Sequence, residues 1–188
     1  ISVITPSLNS AGTLQRAIES VLAQDYPAFE HIIVDGGSRD GTIELLKRYD
    51  HLKWISEPDH GQSDAMNKGF AMSSGDVIVV LNCDDYFAGG AFNAVVPLFE
   101  QGSMFVVGNV EVKSYRLGHS FVNRPRIGLK AIMRHWENDA YCYNPVGYFY
   151  RREVQASCPF NATNQTTMDV EFLLCAASRF PMTRIDRI

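Results

Sequence analysis

No two of the four cysteines, Cys83, Cys142, Cys158 and Cys175, form a C-x-x-C pair, and they lie far apart. That spacing argues against a zinc site and against a disulfide scaffold, and it fits a reducing compartment. No apolar run reaches transmembrane length, and no signal or transit peptide is visible. The chain begins at Ile1 rather than at a methionine and reads as a piece of a longer protein, truncated at its C-terminus. A cytoplasmic location follows, with the inner face of a membrane left open. The 17 basic and 21 acidic residues, net −4, are scattered, so there is no basic stripe for nucleic acid and no polybasic membrane patch. The first loop, "TPSLNSAG", lacks the G-x-G-x-x-G of a dinucleotide-binding fold, which sets aside a Rossmann dehydrogenase. Nor is there a glycine-rich, lysine-bearing loop to grip a triphosphate, which sets aside a nucleotidyltransferase. Repeats and low-complexity linkers are missing too.

What is present is an α/β pattern. At 188 residues and 46% hydrophobic content the chain suffices for one domain, 1–188. Strands are predicted at Ser2–Thr5, His31–Val34, Leu52–Ser56 and, most strongly, Val77–Asn82. Helices between them carry Leu14, Ala17, Ile18, Val21 and Leu22, then Ile43–Tyr49, then an inner face of Met66, Gly69, Phe70 and Ser73. After Asp85 a helix carries Phe92, Val95, Val96 and Phe99, and Met104–Tyr115 reads as a strand pair or one long bent strand. A short helix at Leu129–Trp136, a strand at Val146–Arg151, a helix at Asp169–Ser178 and a strand near Met182–Ile185 complete the pattern. The alternation implies right-handed crossovers and a mainly parallel central sheet with helices on both faces. The regular alternation is expected to occupy about 1–115, with a second part at about 116–188.

Polar residues gather where these strands end. Asp35 follows the second strand in "IIVDGGSRDGT", Glu57, Asp59 and Asp64 follow the third, and Asn82, Asp84 and Asp85 follow the fourth. Ligands of open α/β sheets bind at such carboxyl ends, so these loops are expected to converge on one edge. Adjacent carboxylates after a strand as apolar as "VIVVL" are costly unless a cation compensates them. Magnesium or manganese takes oxygen ligands and fills its shell with substrate phosphates, which suits a diphosphate. Each carboxylate also has a plain structural use, as a turn or helix-capping group.

The segments "VITPSLNSAGTLQRAIESVLAQDYPAFEHIIVDGGSRDGT" and "GQSDAMNKGFAMSSGDVIVVLNCDD" resemble the family 2 glycosyltransferases of GT-A fold. The likeness covers nearly the whole chain. It implies an inverting enzyme that moves a sugar from a nucleotide-sugar donor, a UDP-sugar foremost, to a hydroxyl of a glycan or lipid-linked acceptor in bacterial surface polysaccharide synthesis. It implies that Thr5, Pro6 and Asp35 hold the base, with the glycine turn exposing the Asp35 carboxylate to the ring N–H. Asp64 and Asn67 line the donor pocket, and "NCDD" stands for the D-x-D signature with Asn82 in place of its first aspartate. Asp85 is then chiefly a metal ligand and Asp84 a ribose or shared metal contact. Asp169 in "TTMDVEFLL" maps to the general base, with Glu171 as second choice. Met168 in place of the more usual glutamate, with Asn82 in place of an aspartate, keeps a non-catalytic nucleotide- or glycan-binding domain as the alternative, while Asn144 and Pro145 replace a histidine segment and leave the acceptor class open. Tyr141, Tyr143, Tyr148, Tyr150 and Trp136 are candidates for an acceptor-stacking platform, alternating tyrosines being equally the mark of core pairs. Peripheral membrane association stays open, and nucleic acid is not an expected partner.

Overall fold

Short β-branched runs form the strands, and apolar residues at helical spacing cover them. In the computed structural model, which describes residues 1–114, 118–134 and 136–186, the chain opens as β1 (Ser2–Ser7), α1 (Leu14–Leu22), β2 (Glu30–Asp35) and α2 (Thr42–Leu46). It goes on through β3 (Leu52–Ser56), α3 (Gln62–Met72), β4 (Val77–Val80), α4 (Ala91–Glu100) and β5 (Phe105–Val107). The last part holds β6 (Val110–Ser114), β7 (His119–Asn123), α5 (Leu129–Ile132), a 3₁₀ turn (Pro145–Gly147), β8 (Tyr148–Arg151), α6 (Arg152–Ser157), α7 (Met168–Arg179) and β9 (Met182–Arg184).

Seven strands make one sheet in the order β3-β2-β1-β4-β8-β5-β9, and β6 and β7 pair separately. Every neighbouring pair in the large sheet is parallel except the two that β8 makes, with β4 and β5. One face, with Val3, Ile33 and Val79, packs against α1, α2 and α4. The other, with Ile4, Ile78 and Tyr150, packs against α3, α5, α6 and α7. The expected mainly parallel sheet, covered on both faces, is therefore present.

Gly69 sets how closely α3 approaches the sheet. A Cβ there would collide with the Ile4 side chain of β1, so the helix backbone rests directly on the strand. Gly69→Ala is expected to push the two apart at a cost of about 1–3 kcal/mol, the usual price of overpacking. A urea titration should show a lower midpoint at unchanged slope, and an unchanged midpoint would contradict the contact.

Several boundaries differ from the sequence reading. Val77–Asn82 shortens to a strand ending at Val80, because Asn82–Asp85 turns back on itself through Asp85 N–H to the Asn82 carbonyl at 3.1 Å. The helix read as Leu129–Trp136 stops at Ile132, and Val146 lies in the 3₁₀ turn before β8. Met104–Tyr115 divides into strands of two different sheets, with Tyr115 itself outside the described residues. On α3 the inward face is Ser63, Ala65, Met66 and Gly69, while Phe70 is half-buried and Ser73 caps the helix. Helix α6 and strand β7 had no counterpart in the sequence reading.

The cysteine reading is also corrected in part. Cys158 and Cys175 are joined as a disulfide with Cα atoms 5.9 Å apart, which ties the end of α6 to α7. Their spacing of 17 residues looks unpaired because the chain between them leaves one helix and returns on the next. Cys83 and Cys142 are free thiols.

Candidate active site

The sheet register brings the polar loops together. Ser7, Asp35 and Ser56 stand in one row at the carboxyl ends of β1, β2 and β3. The antiparallel β8 begins at the edge where its neighbours finish, with Tyr148 opposite Val107, so the segment leading into it reaches the same edge.

Asp35 is wholly buried, and the glycine turn does not expose it. Its Oδ2 accepts from the Gly37 and Ser38 N–H groups at 3.1 and 2.9 Å and from the Ser56 hydroxyl at 2.7 Å, while the Ser38 hydroxyl donates to Oδ1. A charged carboxylate at the end of a buried strand takes the nearest donors, and its own turn supplies them. Gly37 and Gly41, at φ 89° and 98°, give the turn the left-handed backbone this needs. Asp40 accepts from Ala11 N–H, Thr42 N–H and the Thr42 hydroxyl, a structural role that ties the loop after β1 to the start of α2. Thr5 and Pro6 are buried in β1, and the Thr5 hydroxyl meets His31 Nε2 at 2.9 Å. Burial holds the His31 pKa down near 3, so that ring is neutral.

On α3, Asp64 accepts from His60 N–H at 3.0 Å and pairs with Lys68 at 3.4 Å, closing the helix start. Asn67 clamps Phe160 from both sides, donating to its carbonyl at 2.7 Å and accepting from its N–H at 3.2 Å. Both side chains are therefore engaged with the protein, and Asn67 joins α3 to the loop before α7.

The carboxylates of "NCDD" differ in setting. Asp84 is exposed and Asp85 half-buried. Asp85 Oδ2 accepts from Asn144 Nδ2 at 2.7 Å and Asn82 Nδ2 at 3.0 Å, and Asn82 Oδ1 accepts from Gln62 Nε2 at 2.7 Å. Both amides bind the same oxygen, which leaves Oδ1 turned away from them. Burial raises the Asp85 pKa and the charge of Asp84 adds to this, while the two amides and Arg16 oppose it. A cavity of about 120 Å³ is lined by Arg16, Asp84, Asp85, Tyr86, Lys113 and Asn144, with the Arg16 guanidinium stacked 3.6 Å over the Tyr86 ring. A larger cavity of about 180 Å³ adjoins Asp85, walled by Phe87, Val95, Val110, Val146 and Phe149 with Asn109 and Glu111 at its lining. Among the described residues no three His, Cys, Asp or Glu side chains enclose a common point. Two carboxylates with an open oxygen fit a hard divalent cation that takes its other ligands from a diphosphate and water.

Asp169 lies in the first turn of α7, where the helix dipole favours a negative charge. The Tyr148 hydroxyl donates to its Oδ1 at 3.3 Å. Burial raises the Asp169 pKa against that bond. Tyr148 is fully buried, 6.0 Å from the Phe172 ring and 5.6 Å from Phe105, so it is a core residue that orients Asp169 and not a stacking platform. Tyr150 is buried likewise. Glu171 is exposed and accepts from Asn161 and Asn164 Nδ2, a brace across the loop before α7, and this holds its pKa below the ordinary range. Trp136 is 73% exposed, and Tyr143 packs edge-on against Tyr141. Asn144 carries more than the sequence reading gave it. It touches Asp85 while Tyr148, four residues on, touches Asp169, so one short segment holds both carboxylates.

The profile described as Glycosyl transferase family 2 matches residues 2–157. An uncharacterized glycosyltransferase of Nostoc sp. is 32% identical over 166 residues, which cover 82% of this chain and 51% of the relative. A PGL/p-HBAD biosynthesis glycosyltransferase of Mycobacterium bovis is 28% identical over 195 residues, covering 97% and 72%. The chain spans about a third to a half of the length of the first curated relatives it matches. S. aureus TarS 1-349, in complex with UDP, superposes with a TM-score of 0.80 at 18% identity over 98% of this chain and 57% of that one, a likeness of fold. That architecture is GT-A. With the profile extending from β1 through α6, the chain belongs to the family 2 glycosyltransferases.

Proposed function

We propose that this domain transfers a sugar, with inversion at the anomeric carbon, from a nucleotide-sugar donor to a hydroxyl of a glycan or lipid-linked acceptor. The observation that carries the reading is the 144–148 segment, which binds Asp85 through Asn144 and Asp169 through Tyr148. Both carboxylates are thus tied to backbone positions at most about 14 Å apart, which supports their acting on one substrate. Asp169 takes the proton of the acceptor hydroxyl, and its raised pKa suits a general base. Tyr148 fixes its orientation. Asp85 Oδ1 and Asp84 are the groups that would hold magnesium or manganese, which supplies charge stabilisation to the departing diphosphate. The UDP in the TarS complex supports a uridine nucleotide as the first donor to try, and the mycobacterial relative named for PGL/p-HBAD biosynthesis supports a lipid-linked acceptor.

A thermal-shift panel of UDP, GDP, TDP and CMP, each with and without manganese, tests the reading. Stabilisation by a nucleoside diphosphate only when manganese is present is the expected result, and indifference to all four would overturn it. Slow metal-dependent hydrolysis of the donor separates an enzyme from a binding domain.

Asp35 enters this reading as the buried carboxylate that orders the 36–38 turn, and its Oδ1, bonded to the Ser38 hydroxyl, would meet the ring N–H of a base only on a shift of that turn. Asp35→Ala is expected to weaken nucleotide binding by about 1–3 kcal/mol. It also removes the carboxylate that orders the 36–38 turn, so circular dichroism must show the fold retained. Equal affinity by calorimetry would leave Asp35 a turn residue only.

A further inference from the structure

Residues 112–136 contain Lys113, Arg116, Arg124, Arg126, Lys130 and Arg134 but no aspartate or glutamate, in a chain whose net charge is −4. The overall average hides this run, and the structure gives it a surface. Arg124, Arg126, Lys130 and Arg134 are all exposed. So are the large apolar side chains among them, Ile127, Leu129, Met133 and Trp136, the last two at 60% and 73%. Phe121 on β7, 54% exposed, and Tyr143 extend the same surface. Six of the eight exposed large hydrophobics among the described residues thus fall between Phe121 and Tyr143.

The segment folds back on itself, which keeps these groups together. Arg126 reaches Glu137 at 2.7 Å and Arg134 reaches it at 3.7 Å, so two cations share one counter-charge. The Asp139 carboxylate turns inward, accepting from Asn123 Nδ2 at 2.8 Å and the Arg124 N–H at 2.9 Å. Among the described residues Lys130 has no salt bridge, and Arg124 acts on the Asp186 carboxylate by charge without a direct salt bridge. Ile132 anchors α5 in the core with Met168 and Phe172 of α7, the helix that carries Asp169.

Exposed apolar side chains alone name no partner, but their interleaving with four exposed cations does. We propose that this face docks on an anionic phospholipid surface. Apolar groups enter the headgroup boundary while the arginines and the lysine stay with the phosphates, and a tryptophan is the side chain best suited to that interface. Helix α5, on the docked face, packs on α7, the helix that carries Asp169, so lipid would lie beside that carboxylate. The docking rests on the transfer reading for its purpose, but the binding itself needs neither donor, metal nor turnover.

The test uses the whole chain with Trp54→Phe, which leaves Trp136 as its only tryptophan. Vesicles of phosphatidylcholine with one quarter phosphatidylglycerol should shift Trp136 emission to the blue and carry the protein down on sedimentation. Pure phosphatidylcholine at equal lipid should do neither. Each cation near an anionic surface is worth about a fivefold change in partition, so R124E/K130E/R134E should bind at least about a hundredfold more weakly. M133D should lose the emission shift. All four positions are exposed, and an unchanged thermal midpoint with nucleotide shows that the site survives. Absence of binding to the anionic vesicles overturns the proposal. So does a concentration-dependent dimer broken by M133D, which assigns the face to a second copy, or binding to duplex DNA as tight as to vesicles and insensitive to M133D. Loss of transfer in an active-site variant that still binds vesicles counts against the transfer reading alone.

Discussion

Replacing Asp169 by asparagine is expected to cut turnover roughly 10²- to 10⁴-fold while donor and manganese bind as before, because a general base acts only on the acceptor proton. The side chain keeps its shape and can keep the contact with the Tyr148 hydroxyl, so orientation is preserved and proton removal is lost. Product from the wild-type domain should be inverted at the anomeric carbon. Retained configuration would exclude a single displacement with Asp169 as base. Turnover within a few-fold of wild type would move the role elsewhere, but Glu171 is exposed and bound to Asn161 and Asn164. A stability measurement on the same pair is independent of substrate. Burial raises the folded-state pKa of Asp169 above its ordinary value, so the folded chain binds the proton more tightly than the unfolded one. The resulting penalty is absent below the ordinary carboxyl pKa, grows as pH rises through the interval to the folded pKa, and is complete above it. Asp169→Asn should therefore be at least as stable as wild type at pH 7, with that advantage shrinking toward pH 3. The acid limb of the rate profile should also stand above the usual carboxylate range.

Asp85→Ala is expected to abolish the part of nucleoside diphosphate affinity that depends on a divalent cation. Binding in manganese should fall to the level measured in chelator. The reason lies in how Asp85 is held. Asn82 and Asn144 both donate to Oδ2, which fixes the rotamer and leaves Oδ1 outside both bonds. Asp84 alone is exposed and lacks such support. Calorimetry with manganese and with chelator reads the effect directly. Tight binding by the variant in chelator would remove the metal from the proposal, while unchanged metal-dependent binding would transfer the ligand role to Asp84.

Much of the fold is legible because parallel strands buried on both faces are continuous apolar runs. "IIVV"-like stretches at Ile32–Val34 and Val77–Val80 announce themselves. The region from Val110 to Gly147 is not legible in the same way. Its hairpin, its four-residue helix and its 3₁₀ turn are fixed by distant contacts, such as Asn123 with Asp139 and Gly108 N–H with the Gly147 carbonyl. The site divides similarly. That Asp35, Asp84 and Asp85 lie at strand ends follows from local pattern. That Asn144 would find Asp85 across 59 residues, or that Tyr148 would turn inward to Asp169, depends on where β8 enters the sheet. Asp35 misled for the opposite reason, since the glycines and serine beside it satisfy its carboxylate locally. The basic, acid-free stretch was visible in the sequence, but only to a reading that did not average charge over the whole chain.

The position of β8 also governs how the molecule can be made. It lies between β4 and β5, yet it comes from residues 148–151, long after both neighbours have left the ribosome. Until it arrives, β4 and β5 have no strand to join them, and each presents an open hydrogen-bonding edge of valine and isoleucine or phenylalanine. Pairing across 74 residues, Val77 with Arg151, is a slow step by the topology of the sheet. A nascent chain halted between residues 107 and 148 therefore carries three unprotected edges here, one on β4 and both of β5, since β9 is also still to come, the condition under which strands of neighbouring polypeptides pair with each other.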